Sequence, residues 1–394
     1  VRTLSLKTAV TLIATFLIVT HCAPFASAQT FTLLHSFPSS TNDGANPLGN
    51  IAVDAKGNVY GITEAGGIGG GAVFKVSANG TETILDTPCC YDGQGFYGGL
   101  IRDTKGNLYT VTQEGGTDGY GAVIEVAGNG TETVLYNFNG QNGNFSLAPP
   151  WQDAEGTLYG NTSYGGSIET VCGGECGLIL KLTPSGEETV LHNFVGTDGF
   201  RPYSGVIADA EGNFYGTTES GGAAGYGTVY KLTAAGKISV LHSFTGGSDG
   251  SYSFAGLVED KQGNLYGAAS AGGTFGEGTI FKVTKGGKFS VLYTFTGGAD
   301  GSEPSATLLL DSKGNLYGEA SFGGDDTCFK PVGCGTVFEL SPAGQLTVLH
   351  TFEGAADGFV PSGVLARDSA GNLYGTAWVG GPNGQGTVFK LTLN

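Results

Sequence analysis

Asp260-Lys261-Gln262-Gly263-Asn264-Leu265-Tyr266-Gly267 is the stretch from which the fold can be read. Asp at the start of a turn accepts bonds from backbone amides two residues on, and Gly supplies the left-handed position that closes the turn. The apolar and aromatic residues that follow are strand formers. The stretch therefore reads as a hairpin turn delivering the chain into a β-strand. Its pattern, Asp-x-x-Gly-Asn-(Val/Leu/Phe)-Tyr-Gly, begins at Asp54, Asp103, Asp153, Asp209, Asp260, Asp311 and Asp368, with Thr157 replacing the Asn once and Thr110 replacing the last Gly once. Seven copies at a spacing of roughly 50 residues mark a repeat architecture.

Further blocks lie at fixed distances from each copy. Every Tyr is followed six and seven residues later by a Gly pair, from Gly66-Gly67 to Gly380-Gly381. A block of the type Gly-Thr-Ile-Phe-Lys-Val then starts at Gly71, Gly121, Gly177, Gly227, Gly278, Gly335 and Gly386. A fourth block, of the type Ser-Val-Leu-His-Ser-Phe, ends near Phe37, Thr87, Phe138, Phe194, Phe244, Phe295 and Phe352. Each unit thus has four short strands: a before the Asp, b through the Tyr, c through the Lys and d through the His. Hairpin turns at both a–b and c–d fit a propeller blade better than a solenoid coil. The order of blocks opens on a lone d strand, Thr30 to Phe37, and finishes on a lone c strand. We therefore expect an all-β, seven-bladed β-propeller of four-stranded blades, closed by the N-terminal strand as the outermost strand of the blade holding residues 363 to 394.

Composition agrees with this reading. Glycine makes up 72 of 394 residues, against about 7% in ordinary proteins. With 40% hydrophobic and 11% aromatic residues, the chain is neither collagen-like nor a disordered linker. A formal charge of −17 argues against nucleic acid and anionic membranes, whose phosphates must be met by Lys and Arg. Arg2 and Lys7 precede an apolar run from Ala9 to Val19, and Ala26-Ser27-Ala28 has the small-x-small form that signal peptidase reads. Residues 1–28 are expected to be a signal peptide cleaved before Gln29, leaving one propeller domain over 29–394, secreted or periplasmic. Cys22 as a lipid anchor is disfavoured by His21 before it. No other stretch is long enough to span a membrane, and no C-terminal anchor pattern is present in the sequence.

Gly263-Asn264-Leu265-Tyr266-Gly267, Gly278-Thr279-Ile280-Phe281-Lys282-Val283 and Ser239-Val240-Leu241-His242-Ser243-Phe244 resemble the tandem repeat of GloVer-type proteins, exported bacterial proteins known as choice-of-anchor proteins. The resemblance covers nearly all of residues 29–394. It implies an exported or surface-associated protein, and it implies no catalytic residue. The turn motif is also similar to that of NHL and gluconolactonase-type propellers.

Candidate chemistry divides between scaffold and site. His35, His192, His242 and His350 occupy one repeat position on the outer strand, so they cannot converge on one centre and read as structural. The seven turn Asp residues are likewise spread around the ring. Six cysteines remain after cleavage of an exported chain, which makes disulfides the default. Cys172 with Cys176 and Cys328 with Cys334 are expected to staple their own b–c loops, while Cys89 and Cys90 are left as a vicinal pair or free thiols. Zinc would require two loops three blades apart to meet, and the acidic loops lack the ligand pattern of a calcium site. No cofactor or metal is expected, and no nucleophile elbow, P-loop or dinucleotide fingerprint occurs.

The d–a and b–c connections emerge on the same face. That face gathers Tyr164, Phe322, Trp378, Phe200, Tyr203 and Tyr252 with the charged residues Arg201, Glu64 and Glu219, a combination that can stack on sugar rings and bond hydroxyls. The competing expectation for these rings is that they wedge between blades. The sequence favours a non-catalytic monomer binding an extracellular glycan or an envelope protein through this loop face. The alternatives are a lactonase- or lyase-like propeller hydrolase and a purely architectural envelope component. Strands a read mostly small and apolar, with Arg102, Glu259 and Arg367 as the exceptions that bear on the hydrolase reading.

Overall fold

A computed structural model describes residues 29–38, 43–67, 69–88, 93, 95–144, 146, 148–166, 172, 176–326, 328 and 330–393. The expected signal peptide, Cys89, Cys90 and Phe145 lie outside the described residues. Seven antiparallel sheets follow one another as the blades of a β-propeller, and no helix occurs among the described residues. Blade five shows the plan: Val258–Glu259, Leu265–Ala269, Thr279–Val283 and Phe289–Thr294 pair in chain order from the innermost strand a to the outermost strand d. In blade seven, Thr30–Ser36 pairs antiparallel with Thr387–Thr392 and supplies strand d, which closes the ring as expected. Its strand a is in two pieces, Phe359–Pro361 and Ala366–Arg367, both pairing with Leu373–Val379.

The repeated turn is a closed hydrogen-bond unit. Asp260 Oδ1 accepts from the N–H groups of Gln262 (2.9 Å) and Asn264 (2.8 Å), and its Oδ2 accepts from Asn264 Nδ2 (2.7 Å) and the Tyr266 hydroxyl (2.9 Å). In all seven blades the Tyr of strand b reaches back to its own turn Asp, at 2.9 to 3.4 Å. Burial alone would raise the Asp260 carboxyl. The bonds from Asn264, Tyr266 and the backbone outweigh it and hold the group below its ordinary value. Tyr266 pairs across the sheet with Lys282, whose ammonium lies 5.0 Å from the ring centre.

The hydrophobic core sits between blades. Val229 and Phe244 of blade four pack with Leu257, Leu265, Phe281 and Val283 of blade five, and all six are buried. Gly267 is glycine because a Cβ there would stand 2.5 Å from the Phe281 ring and 2.9 Å from Leu257. The apolar side chains therefore glue neighbouring blades together, while the polar turn residues hold each hairpin.

A second stitch lies in the d–a connections. Asn46, Arg201, Tyr252, Glu303 and Val360 occupy one repeat position, and each has a positive φ of 54° to 58°, a conformation that disfavours side chains. Gly95 takes this place in blade two with φ 72°. The N–H at this position bonds a carbonyl of the preceding blade: Asn46 to Gln385 (2.8 Å), Arg201 to Cys176 (3.0 Å), Tyr252 to Tyr226 (3.1 Å), Glu303 to Glu277 (3.0 Å) and Val360 to Cys334 (3.1 Å). The carbonyls of Arg201, Tyr252 and Glu303 accept from Glu219, Ser270 and Ser321 at the end of their own strand b. The left-handed turn is thus the geometry that lets one residue bridge two blades.

Candidate functional site

The d–a loops are fixed from below by the repeated histidine. His192, His242 and His350 place Nε2 at 2.8, 3.0 and 2.7 Å from Asp198, Asp249 and Asp357 of the following Asp-Gly turn. Tyr293 does the same to Asp300 at 2.9 Å, and Tyr136 bonds Asn142. His35 instead lies 3.1 Å from Glu82. The His192, His242 and His350 pairs are local to their own loops, whereas His35 and Glu82 join the outer strands of blades seven and one, so the histidines do not gather at one centre. Burial lowers the His242 imidazole below its ordinary value against the pull of Asp249.

Above this base, the predicted site residues fall into two patches. In blades three to five, the Arg201 guanidinium lies over the rings of Tyr164 (5.2 Å) and Phe200 (5.7 Å), and its Nη1 is 3.9 Å from Glu219. The Tyr164 and Tyr203 hydroxyls share a hydrogen bond, and Tyr203 meets Phe254 edge-on at 5.4 Å. Tyr252 packs edge-on against Tyr226 at 5.9 Å. Burial raises the Glu219 carboxyl, with Arg201 opposing. The loop stapled by Cys172–Cys176 anchors this patch, since the Cys176 carbonyl accepts the Arg201 N–H.

The other patch joins blades seven, one and two. Glu64 accepts from Tyr97 OH through Oε1 and from Trp378 Nε1 through Oε2, both at 2.8 Å, so one carboxylate orients two rings. Burial and this bond push the Tyr97 phenol up to about 12. Asn46 Nδ2 bonds the Trp378 carbonyl at 3.1 Å. Phe322 joins neither patch; it is half-buried in blade six, where its backbone pairs with Ser302. The Cys328–Cys334 disulfide closes the b–c loop of that blade.

A channel of about 1060 Å³ runs between the blades. At the loop face its mouth is lined by Leu48, Tyr97, Tyr203, Phe254, Ser305 and Ser362. Toward the a–b turns it is lined by Arg102, Asp103, Lys105, Asp153 and Glu155. Two of the strand-a exceptions also engage a tyrosine of the preceding blade. Arg102 lies over Tyr60 (5.1 Å), and Arg367 lies over Tyr317 (5.4 Å) and 3.5 Å from Asp311. The charge of Asp209, behind the larger effect of burial, raises the Glu259 carboxyl.

One buried acid has no counterpart in the other blades. Glu319 on strand b of blade six is 1% exposed and stands against Gly375 of blade seven. Burial pushes its carboxyl well above the ordinary value, with the Gly363 N–H opposing.

Blades stitched into a ring, with varied side chains gathered at one mouth of the channel, define a β-propeller whose loop face is set apart from its scaffold. The chain belongs to the Gloeobacter/Verrucomicrobia repeat family, whose model matches residues 23–173, 169–328 and 289–394. Among solved structures it is similar to an extracellular domain from B. thetaiotaomicron, with TM-score 0.53 and 11% identity over 91% of this chain and 39% of that one. It is also similar to a gluconolactonase from Xanthomonas campestris, with TM-score 0.47 and 16% identity over 89% of this chain and 98% of that one. No curated protein matches the chain. At 11% identity the likeness to the extracellular domain is one of fold alone.

Proposed function

We propose that this protein is a non-catalytic carbohydrate-binding propeller that acts outside the cytoplasm and recognises its ligand through the loop face. One observation carries the reading. The exposed aromatic side chains among the described residues are Tyr97, Tyr120, Tyr226, Tyr252, Phe254, Phe275 and Trp378, and all seven belong to the d–a or b–c connections or to the adjoining end of strand b. Ordinary surfaces scatter such rings; their concentration on one face marks an interaction surface. Flat rings with polar ends held by Glu64 or by neighbouring phenols suit stacking on sugars. The two loop disulfides fit an oxidising compartment.

The hydrolase alternative draws little from Arg102 and Arg367, since each guanidinium lies over a tyrosine of the preceding blade, Tyr60 and Tyr317, and Arg367 also stands beside Asp311. A glycan-binding screen of the wild-type protein beside Trp378→Ala and Tyr164→Ala tests the proposal. Each variant is expected to lose roughly tenfold in affinity for the bound glycan. Unchanged binding in both would overturn the loop-face assignment.

A further inference from the structure

The two ring patches flank one depression. Tyr97 of the Glu64 patch and Tyr203 and Phe254 of the Arg201 patch line the same mouth of the 1060 Å³ channel. That volume is at the upper limit of about 1,000 Å³ for small-molecule pockets. One extended occupant can touch both patches, whereas a single sugar residue can cover only one.

The charges within the two patches are already committed. Glu64 is held by Tyr97 and Trp378, and Arg201 lies between two rings with Glu219 beside it. Between the patches the mouth is lined by Leu48, Ser305 and Ser362, none of which carries a charge. Of the sixteen Lys and Arg residues in 29–394, only Arg201 and Lys330 belong to d–a or b–c connections. An anionic polymer approaching this face would meet acidic loops with almost no cations to neutralise it.

Resting on the carbohydrate reading above, we propose that the two patches are subsites for one strand of an uncharged, linear polysaccharide that crosses the channel mouth. Rings pre-oriented by Glu64 and by the Tyr164–Tyr203 pair lose little freedom on binding. Joining two weak subsites through one strand multiplies affinity without further contacts.

The test uses calorimetric titration of the full residue 29–394 protein with soluble β-glucan, xylan and galactomannan, with oligosaccharides of each from two to eight units, and with polygalacturonate as the anionic comparator. Affinity for the bound uncharged polymer is expected to rise on the order of 100-fold from disaccharide to octasaccharide, with polygalacturonate failing to bind. Trp378→Ala or Phe254→Ala should each collapse the octasaccharide affinity toward the disaccharide value. Glu64→Gln, which keeps the side-chain shape, should give a smaller loss of the same kind. Thermal unfolding of each variant checks that it is folded. Length-independent affinity, or preferential binding of polygalacturonate, would overturn the two-subsite inference while leaving carbohydrate binding standing. Failure of every polymer to bind would overturn both.

Discussion

The two faces of the propeller use the same residue type in opposite ways. On the a–b face, Asp54, Asp103, Asp153, Asp209, Asp260, Asp311 and Asp368 each accept the hydroxyl of their own Tyr, and the turn is built the same way seven times apart from Thr157, which stands in for the Asn in blade three. On the loop face, Asp198, Asp249 and Asp357 also anchor turns through His, but the residues those turns carry differ from blade to blade: Arg201, Tyr252 and Val360 share one backbone geometry. Constancy in the first case specifies hairpins. Constancy of backbone with variation of side chain in the second lets a ring of equal blades present an unequal surface.

The largest expected effect comes from breaking the constant face. Asp260→Ala removes four hydrogen bonds to a carboxylate, and we expect a loss of about 2–3 kcal/mol in urea unfolding. Glycan binding at the far face should persist as long as the ring stays closed. The turn carboxylates Asp54, Asp209, Asp260, Asp311 and Asp368 lie below their ordinary value in the fold, so the unfolded chain takes up their protons first and their stabilisation is lost as pH falls below about 4.

Glu319 has the opposite sign. Its folded form keeps the proton that the unfolded chain releases, so stability is lost as pH rises above the ordinary glutamate value. Glu319→Gln is therefore expected to stabilise the protein at pH 8 and to change little at pH 4, read as the pH dependence of the unfolding midpoint. An equal effect at both pH values would show that the acid is not held neutral.

The smallest stability effect is expected on the variable face. Tyr252→Gly places at a φ of 54° the residue that blade two already uses as Gly95. Relief of backbone strain offsets the lost ring contact with Tyr226, so stability should stay within about 1 kcal/mol while glycan affinity falls. A large loss of stability would mean that the ring belongs to the scaffold.

How much of this was legible in the sequence follows the same division. Hairpin turns, blade number and ring closure could be read because turn chemistry demands particular residues, as in Asp260 to Gly267. The left-handed stitch could not, because five different side chains occupy a position that usually announces itself as glycine. The pairing of His242 with Asp249 had a trace in the sequence, since Tyr293 faces Asp300 and Tyr136 faces Asn142 at the same two repeat positions. The repeat boundaries identified the loop residues but not their grouping. Tyr164, Arg201, Tyr203 and Glu219 come together because adjacent blades bring their loops side by side, while Phe322 stays apart on blade six. Glu319 left no signal, because its repeat position holds Ile62, Val111, Asn161, Thr217, Ala268 and Thr376 elsewhere.

The central claim is that recognition belongs to the loop face and architecture to the other. Amide hydrogen exchange of the protein with and without the tightest-binding polysaccharide of the panel tests it most directly. Protection is predicted around Tyr97, Tyr203, Phe254 and Trp378, with no change in the a–b turns from Asp54 to Asp368. Protection in those turns, with the loop face unaffected, would contradict it.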